Sequence, residues 1–187
     1  MYLTKTELRF RLLKYASDVI APILTGLINK SFTDGVFPGV WKCAKETALF
    51  KDGDKSLKDN YRPISILLTI SKIIERPAHI QLSSFLEENR LLSQSQFGFR
   101  LKRSTSTALI AFKDQVLEST DKGCVTGTVF LDFRNAFDTV DHLLLIKLKS
   151  LGVAGKSLEW FRSYLSCRFH QTMCVNARMR STQVYLK

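Results

Sequence analysis

The segment Val129–His142, V-F-L-D-F-R-N-A-F-D-T-V-D-H, limits the folds open to this chain more than any other. Thr126–Phe133 is rich in Val, Thr and Phe, the residue types that pack on a pleated, half-buried surface, so it is expected to be a buried strand. Asp141 is a natural N-cap for a helix over Leu143–Leu151, and Gly152 is a natural stop for it. A strand that ends in Asp132 buries a carboxylate, which is costly unless something cationic compensates it. A divalent ion such as Mg²⁺ does so with a few rigid carboxylates and substrate phosphates. The alternative is that Asp132 only caps the following turn. This segment by itself leaves both open.

The flanking sequence supplies mixed elements. Apolar residues recur at helical spacing from Glu7 to Phe32, with Ser17 a candidate cap, Pro22 near a first turn, and Gly35, Pro38 and Gly39 ending the run. Ala44–Phe50 reads as a strand, Lys51–Lys55 as a polar turn carrying Gly53, and Tyr61–Leu68 as a second strand of the same sheet. Ile70–Asn89 is helical, capped by Ser71 or Thr69 and kinked or split by Pro77. Ser104–Ser119 is a helix with Ala108, Leu109, Phe112, Val116 and Leu117 on one face, and Gly123 and Gly127 bracket the turn after it. Ser157–Leu165 is helical again, and Phe169–Val175 and Ser181–Leu186 form a hairpin around Asn176–Arg178. Helices and strands without a βαβ rhythm predict an α+β fold.

Charge narrows the partner class. The chain has 187 residues, 28 Lys and Arg against 17 Asp and Glu, and a formal charge of +11. Beyond Asp141 the sole acid is Glu159, among eight basic residues. Such a surplus repels itself unless an anion is present, and nucleic acid is the commonest one, a solvated surface being the plainer reading. Cys43, Cys124, Cys167 and Cys174 form no C-x-x-C pair, which fits a reduced, intracellular setting. Cys167, His170 and Cys174 hint at zinc, but a fourth ligand is missing and the segment reads as hairpin. His79 and His142 read as structural, and Trp41 and Trp160 as core anchors. The apolar runs fall short of the roughly 20 residues of a membrane span.

Four blocks in order then carry a family resemblance. D-F-R-N-A-F-D, from Asp132, is similar to the first palm motif of reverse transcriptases, in the form found in non-LTR (LINE-type) retrotransposons. Phe50–Leu67, F-K-D-G-D-K-S-L-K-D-N-Y-R-P-I-S-I-L, resembles the first finger motif, and Leu91–Thr105, L-L-S-Q-S-Q-F-G-F-R-L-K-R-S-T, the second. Leu151–Arg168 resembles the segment after the palm helix. The resemblance implies a right-hand polymerase: a helical extension over 1–40, fingers over 41–103 and a partial palm over 104–187. It implies that Asp132, with the Phe133 carbonyl, ligates the Mg²⁺ ions of a two-metal transfer. Phe137 would be the gate that selects deoxynucleotides, with Ala136 leaving room beside the sugar. Lys51 and Arg62 would clamp the triphosphate. Arg100, Lys102 and Arg103 would track the template backbone. RNA template, DNA primer and deoxynucleotide triphosphates are the implied partners.

The family completes its site with a "GVPQGS"-like segment and two further aspartates on a hairpin. In this chain no Asp follows Asp141 and no Asp-Asp dipeptide occurs. The expectation is a fragment of an RNA-directed DNA polymerase, inactive alone, that ends before the catalytic hairpin. Its strand over Thr126–Phe133 would then keep an exposed edge, open to self-association and poor stability. Pro77, Thr69 and the Asn176–Arg178 turn depart from the family pattern. The alternative function is a non-catalytic RNA- or DNA-binding module.

Overall fold

The computed structural model describes residues 14–133, 143–176 and 179–186. The elements are α1 (Ser17–Asp34), β1 (Cys43–Phe50), β2 (Tyr61–Leu67), α2 (Thr69–Glu88), α3 (Thr105–Asp121), α4 (Leu143–Ser150), α5 (Gly155–Leu165), β3 (Phe169–Asn176) and β4 (Met179–Leu186). The fold is α+β. The chain divides into two compact units, one made of residues 1–77 with 142–187 and the other of 78–141.

The first unit holds the sheet, in the order β2-β1-β3-β4. β1 and β2 form an antiparallel hairpin in which Phe50 faces Tyr61 and Ala44 faces Leu67. Pro63 is tolerated in β2 because that strand is an edge, where a missing N–H breaks no second ladder. β3 and β4 pair antiparallel, as the hairpin expectation required. The sequence did not disclose that β3 joins β1 in parallel, Cys43 against Phe169, across most of the chain.

An aromatic cluster packs α1 against α5. Trp160 is 3% exposed, stacks on Tyr164 at 5.5 Å, and meets Phe32 and Phe37 edge-on at 5.2 and 5.5 Å. Its indole N–H donates to Ser31 Oγ at 2.9 Å, and that hydroxyl donates to the Val36 carbonyl at 2.6 Å. The buried polar atoms of the cluster are therefore satisfied, so its area counts as net stabilisation. Trp160 is the core anchor expected of it. Trp41 is half-buried, edge-on to Phe37 at 6.3 Å.

Helix ends follow one recurrent solution. At Gly35, Gly123 and Gly152 the backbone turns left-handed, and paired N–H groups bond back to the last turn, as in Gly35 N to Phe32 O and Val36 N to Ser31 O. α2 ends the same way on Arg90, with φ 55, although it lacks the glycine that makes this conformation cheap. The helix starts differ from expectation. Ala16, not Ser17, is the N-cap of α1, and Ser17 turns its hydroxyl to Asp18. Ser71 lies inside α2 and donates to Glu75 at 2.8 Å, so it braces the first turn from within. α2 runs through Pro77 without being split.

Thr126–Phe133 departs furthest from expectation. It is neither a strand nor buried: Val129, Phe130 and Leu131 are each more than four-fifths exposed. Residue propensity favours a strand there, but a strand exists only through backbone partners, and none of the described strands pairs with it. The strand edge expected to drive self-association is thus absent from the described residues. The Asp141 cap and the early part of the Glu7–Phe32 helix lie outside the described residues; α4 itself spans Leu143–Ser150 and stops at Gly152 as expected.

Candidate nucleotide and nucleic-acid site

The first unit positions Lys51 and Arg62. Lys51 follows β1 directly, and its N–H donates to the Asn60 carbonyl at 2.8 Å, which extends the ladder by one step. Arg62 stands opposite Leu49. Residues directly opposite share a face and diagonal neighbours two apart share it too, so Lys51 and Arg62 lie on one face of the hairpin. Lys45 belongs to that face as well, with Leu49, Ile64 and Ile66 between the cations, and all six are exposed.

The connecting turn is tied to itself. Asp54 Oδ1 accepts from Ser56 N at 2.8 Å, and that hydrogen bond holds the Asp54 carboxyl below its usual range. Asn60 Nδ2 donates to the Asp54 carbonyl at 2.8 Å, and the Tyr61 hydroxyl donates to the Lys55 carbonyl at 2.9 Å. Gly53, with φ 84, is required there: a Cβ would come within 2.8 Å of Asn60 Nδ2, on a backbone that side chains resist. Five separate features therefore fix the turn that spaces Lys51 from Arg62. An anion approaching that face meets two cations on a rigid frame.

The second unit carries the other basic group. The loop between α2 and α3 contains Arg100, Lys102 and Arg103, and it feeds a helix whose start is well built. Ser104 Oγ accepts from Thr107 N at 3.2 Å while Thr107 Oγ1 accepts from Ser104 N at 2.9 Å, a reciprocal cap. Lys102 is exposed. Arg103 stacks over the Phe97 ring at 5.0 Å and donates to Gln94 Oε1 at 3.1 Å. Arg100 is different. Its side chain is 7% exposed and makes a bidentate pair with Glu87, Nε to Oε1 at 2.8 Å and Nη2 to Oε2 at 2.6 Å. The pairing pulls the Glu87 carboxyl below its usual range and raises Arg100 further. Sequence reasoning missed Glu87, because its partner lies 13 residues away across a loop and no helical spacing links them.

Asp132 and Phe133 are exposed in the irregular segment that follows α3. Ala136, Phe137 and His142 lie outside the described residues. Cys167 is an exposed free thiol, and among the described residues no three His, Cys, Asp or Glu side chains converge as metal ligands. Asp132 is the one acid of its motif among the described residues, and a carboxylate with the Phe133 carbonyl is part of a donor set suited to a hard divalent ion. Nor is any helix among them long and apolar enough to cross a membrane.

Comparison with known proteins converges on one family. Residues 49–185 match the family model described as reverse transcriptase (RNA-dependent DNA polymerase). The chain is 33% identical over 144 residues to the probable RNA-directed DNA polymerase from transposon X-element of Drosophila melanogaster, covering 73% of this chain and 16% of that protein. It is 37% identical over 117 residues to the corresponding protein from transposon BS of the same species, covering 62% and 13%. A Pol polyprotein from the type-1 retrotransposable element R2 of Popillia japonica is 30% identical over 133 residues, covering 71% and 18%. The chain thus spans less than a fifth of the length of these curated relatives.

Proposed function

The chain belongs to the reverse transcriptase family, in the form carried by non-LTR retrotransposons, and from that premise we propose that it is the part of an RNA-directed DNA polymerase that grips the triphosphate and the template. Residues 41–103 are the fingers, 104–187 belong to the palm, and 1–40 are a helical extension. The observation that carries this reading is the shared face of Lys51 and Arg62 on a hairpin whose turn is fixed from within. The turn fixes the backbone spacing of the two cations on folding, so a polyanion has only their exposed side chains left to order. Lys51 supplies a compact ammonium and Arg62 a planar fork for two oxygens.

The family uses divalent metal, and Asp132 is the carboxylate of this chain assigned to it, as Mg²⁺, with the Phe133 carbonyl beside it. Phe137 is the sugar gate and Ala136 its neighbour. Lys102 and Arg103 face the template backbone, and RNA template, DNA primer and deoxynucleotides are the substrates. These assignments follow the motif position by position.

Binding of a fluorescent deoxynucleotide triphosphate to the 187-residue chain tests the grip. Lys51→Ala and Arg62→Ala should each weaken it about tenfold, the scale of one charge-assisted contact. Affinity unchanged in both variants would overturn the assignment. Template-dependent primer extension by the same 187 residues is expected to be absent, since a single motif carboxylate leaves a metal pair poorly held.

A further inference from the structure

We infer that Arg100 is a positioning residue and not a phosphate contact: with Glu87 it clamps the α2–α3 loop in the strained shape that turns Lys102 outward to nucleic acid. The nucleic-acid ligand rests on the proposed function above, whereas the clamp itself does not.

The donors of Arg100 are already committed. Beyond the two bonds to Glu87, Nη1 donates to the Ser93 carbonyl at 2.6 Å and reaches the Gln96 carbonyl at 3.4 Å. One guanidinium therefore ties the end of α2 to two separate points of the loop that follows. A phosphate could reach this group only by displacing a bidentate carboxylate from a side chain that water hardly touches.

The loop needs such a tie. Phe99 and Lys102, on either side of the Arg100–Leu101 pair, have φ of 59 and 61, in the left-handed region that side chains resist. Strained residues of this kind persist only where their surroundings over-determine them. The Arg103 stack on Phe97 is a second brace on the same loop. With Arg100 turned inward and Arg103 half-buried, Lys102 is the exposed cation of the Arg100–Arg103 stretch.

Glu87→Gln separates the two roles by sign, read with a labelled single-stranded RNA in a salt titration of the 187-residue chain. If Arg100 touched phosphate, removing its competing carboxylate would tighten binding and steepen the salt slope by about one. A clamp predicts the reverse: binding weakened about fivefold or more, with the slope unchanged. Arg100→Lys keeps the charge but not the fork, so the clamp predicts the same loss, and full binding by that variant would overturn it. Hydrogen exchange of amides 91–104 gives a readout that needs no ligand. Exchange at least about tenfold faster in both variants supports the clamp, and unchanged exchange refutes it. Should the unmodified chain show no salt-dependent RNA binding, the nucleic-acid reading fails, and the exchange result alone decides the clamp.

Discussion

Phe37 and Phe130 are the same side chain with opposite surroundings. In the first unit Phe37 is 1% exposed, ringed by Trp41, Trp160 and Tyr164, and its N–H donates to Ser163 Oγ at 3.0 Å. In the second unit Phe130 is 86% exposed, although it touches Phe112 at 6.3 Å. Among the described residues, the apolar ones that are buried fall in the first unit, apart from Ala78. What separates the two regions is the supply of backbone partners. Burial requires that the main chain of the buried segment be hydrogen-bonded, and the first unit provides a sheet and two packed helices. Among the described residues, the segment after α3 has apolar side chains of equal quality but pairs with no strand.

The contrast can be broken from its strong side first. Trp160→Ala removes the centre of the aromatic cluster and should cost about 3–5 kcal/mol in urea unfolding of the first unit. A loss below about 1 kcal/mol would mean that the cluster is not the core. Gly35→Ala comes next, at about 1–2 kcal/mol. It forces a Cβ onto φ 70 and to within 3.1 Å of Glu159 and Lys156, and an unchanged midpoint would show that the α1 end relaxes freely.

A smaller effect follows from acid. Hydrogen bonding to Arg100, helped by the charges of Arg100 and Arg103, holds Glu87 below its ordinary value of 4.5, so the folded state binds its proton less readily than the unfolded chain does. That contribution is complete above the ordinary value and is lost as pH falls through the lowered one. Protection of amides 91–104 should therefore persist at pH 5 and fade in stronger acid, whereas loss of protection between pH 7 and 5 would implicate another group. Smallest of all is Leu131→Ser, expected to change stability by less than about 0.5 kcal/mol because the side chain is 82% exposed. A large loss there would erase the contrast between the units.

Local signals suffice where local chemistry decides. The Gly53 turn, the Ser104 start of α3 and the Gly152 stop of α4 each rest on residues a few positions apart, so sequence alone discloses them. The catalytic-type blocks were equally legible, because motif order survives without any geometry. Long-range choices were not. Nothing near Cys43 announces that it will lie beside Phe169, and nothing near Arg100 announces Glu87. The Thr126–Phe133 expectation failed for the same reason: propensity describes a side chain's preference, while strand formation depends on a neighbour elsewhere in the chain.

The parallel join of β1 to β3 also sets a timetable. Ser31 waits for Trp160 across 129 residues, and Phe37 for Ser163 across 126. At roughly 5–20 residues per second of synthesis, the early strands spend on the order of ten seconds without the helix and strand that seal them. During that interval residues 78–141 are made in full, between the two halves of a unit that is still open. A nascent chain of this kind exposes Phe37 and the bare side of β1 to whatever else is at hand, so its yield of native protein is governed by elongation speed as much as by final stability.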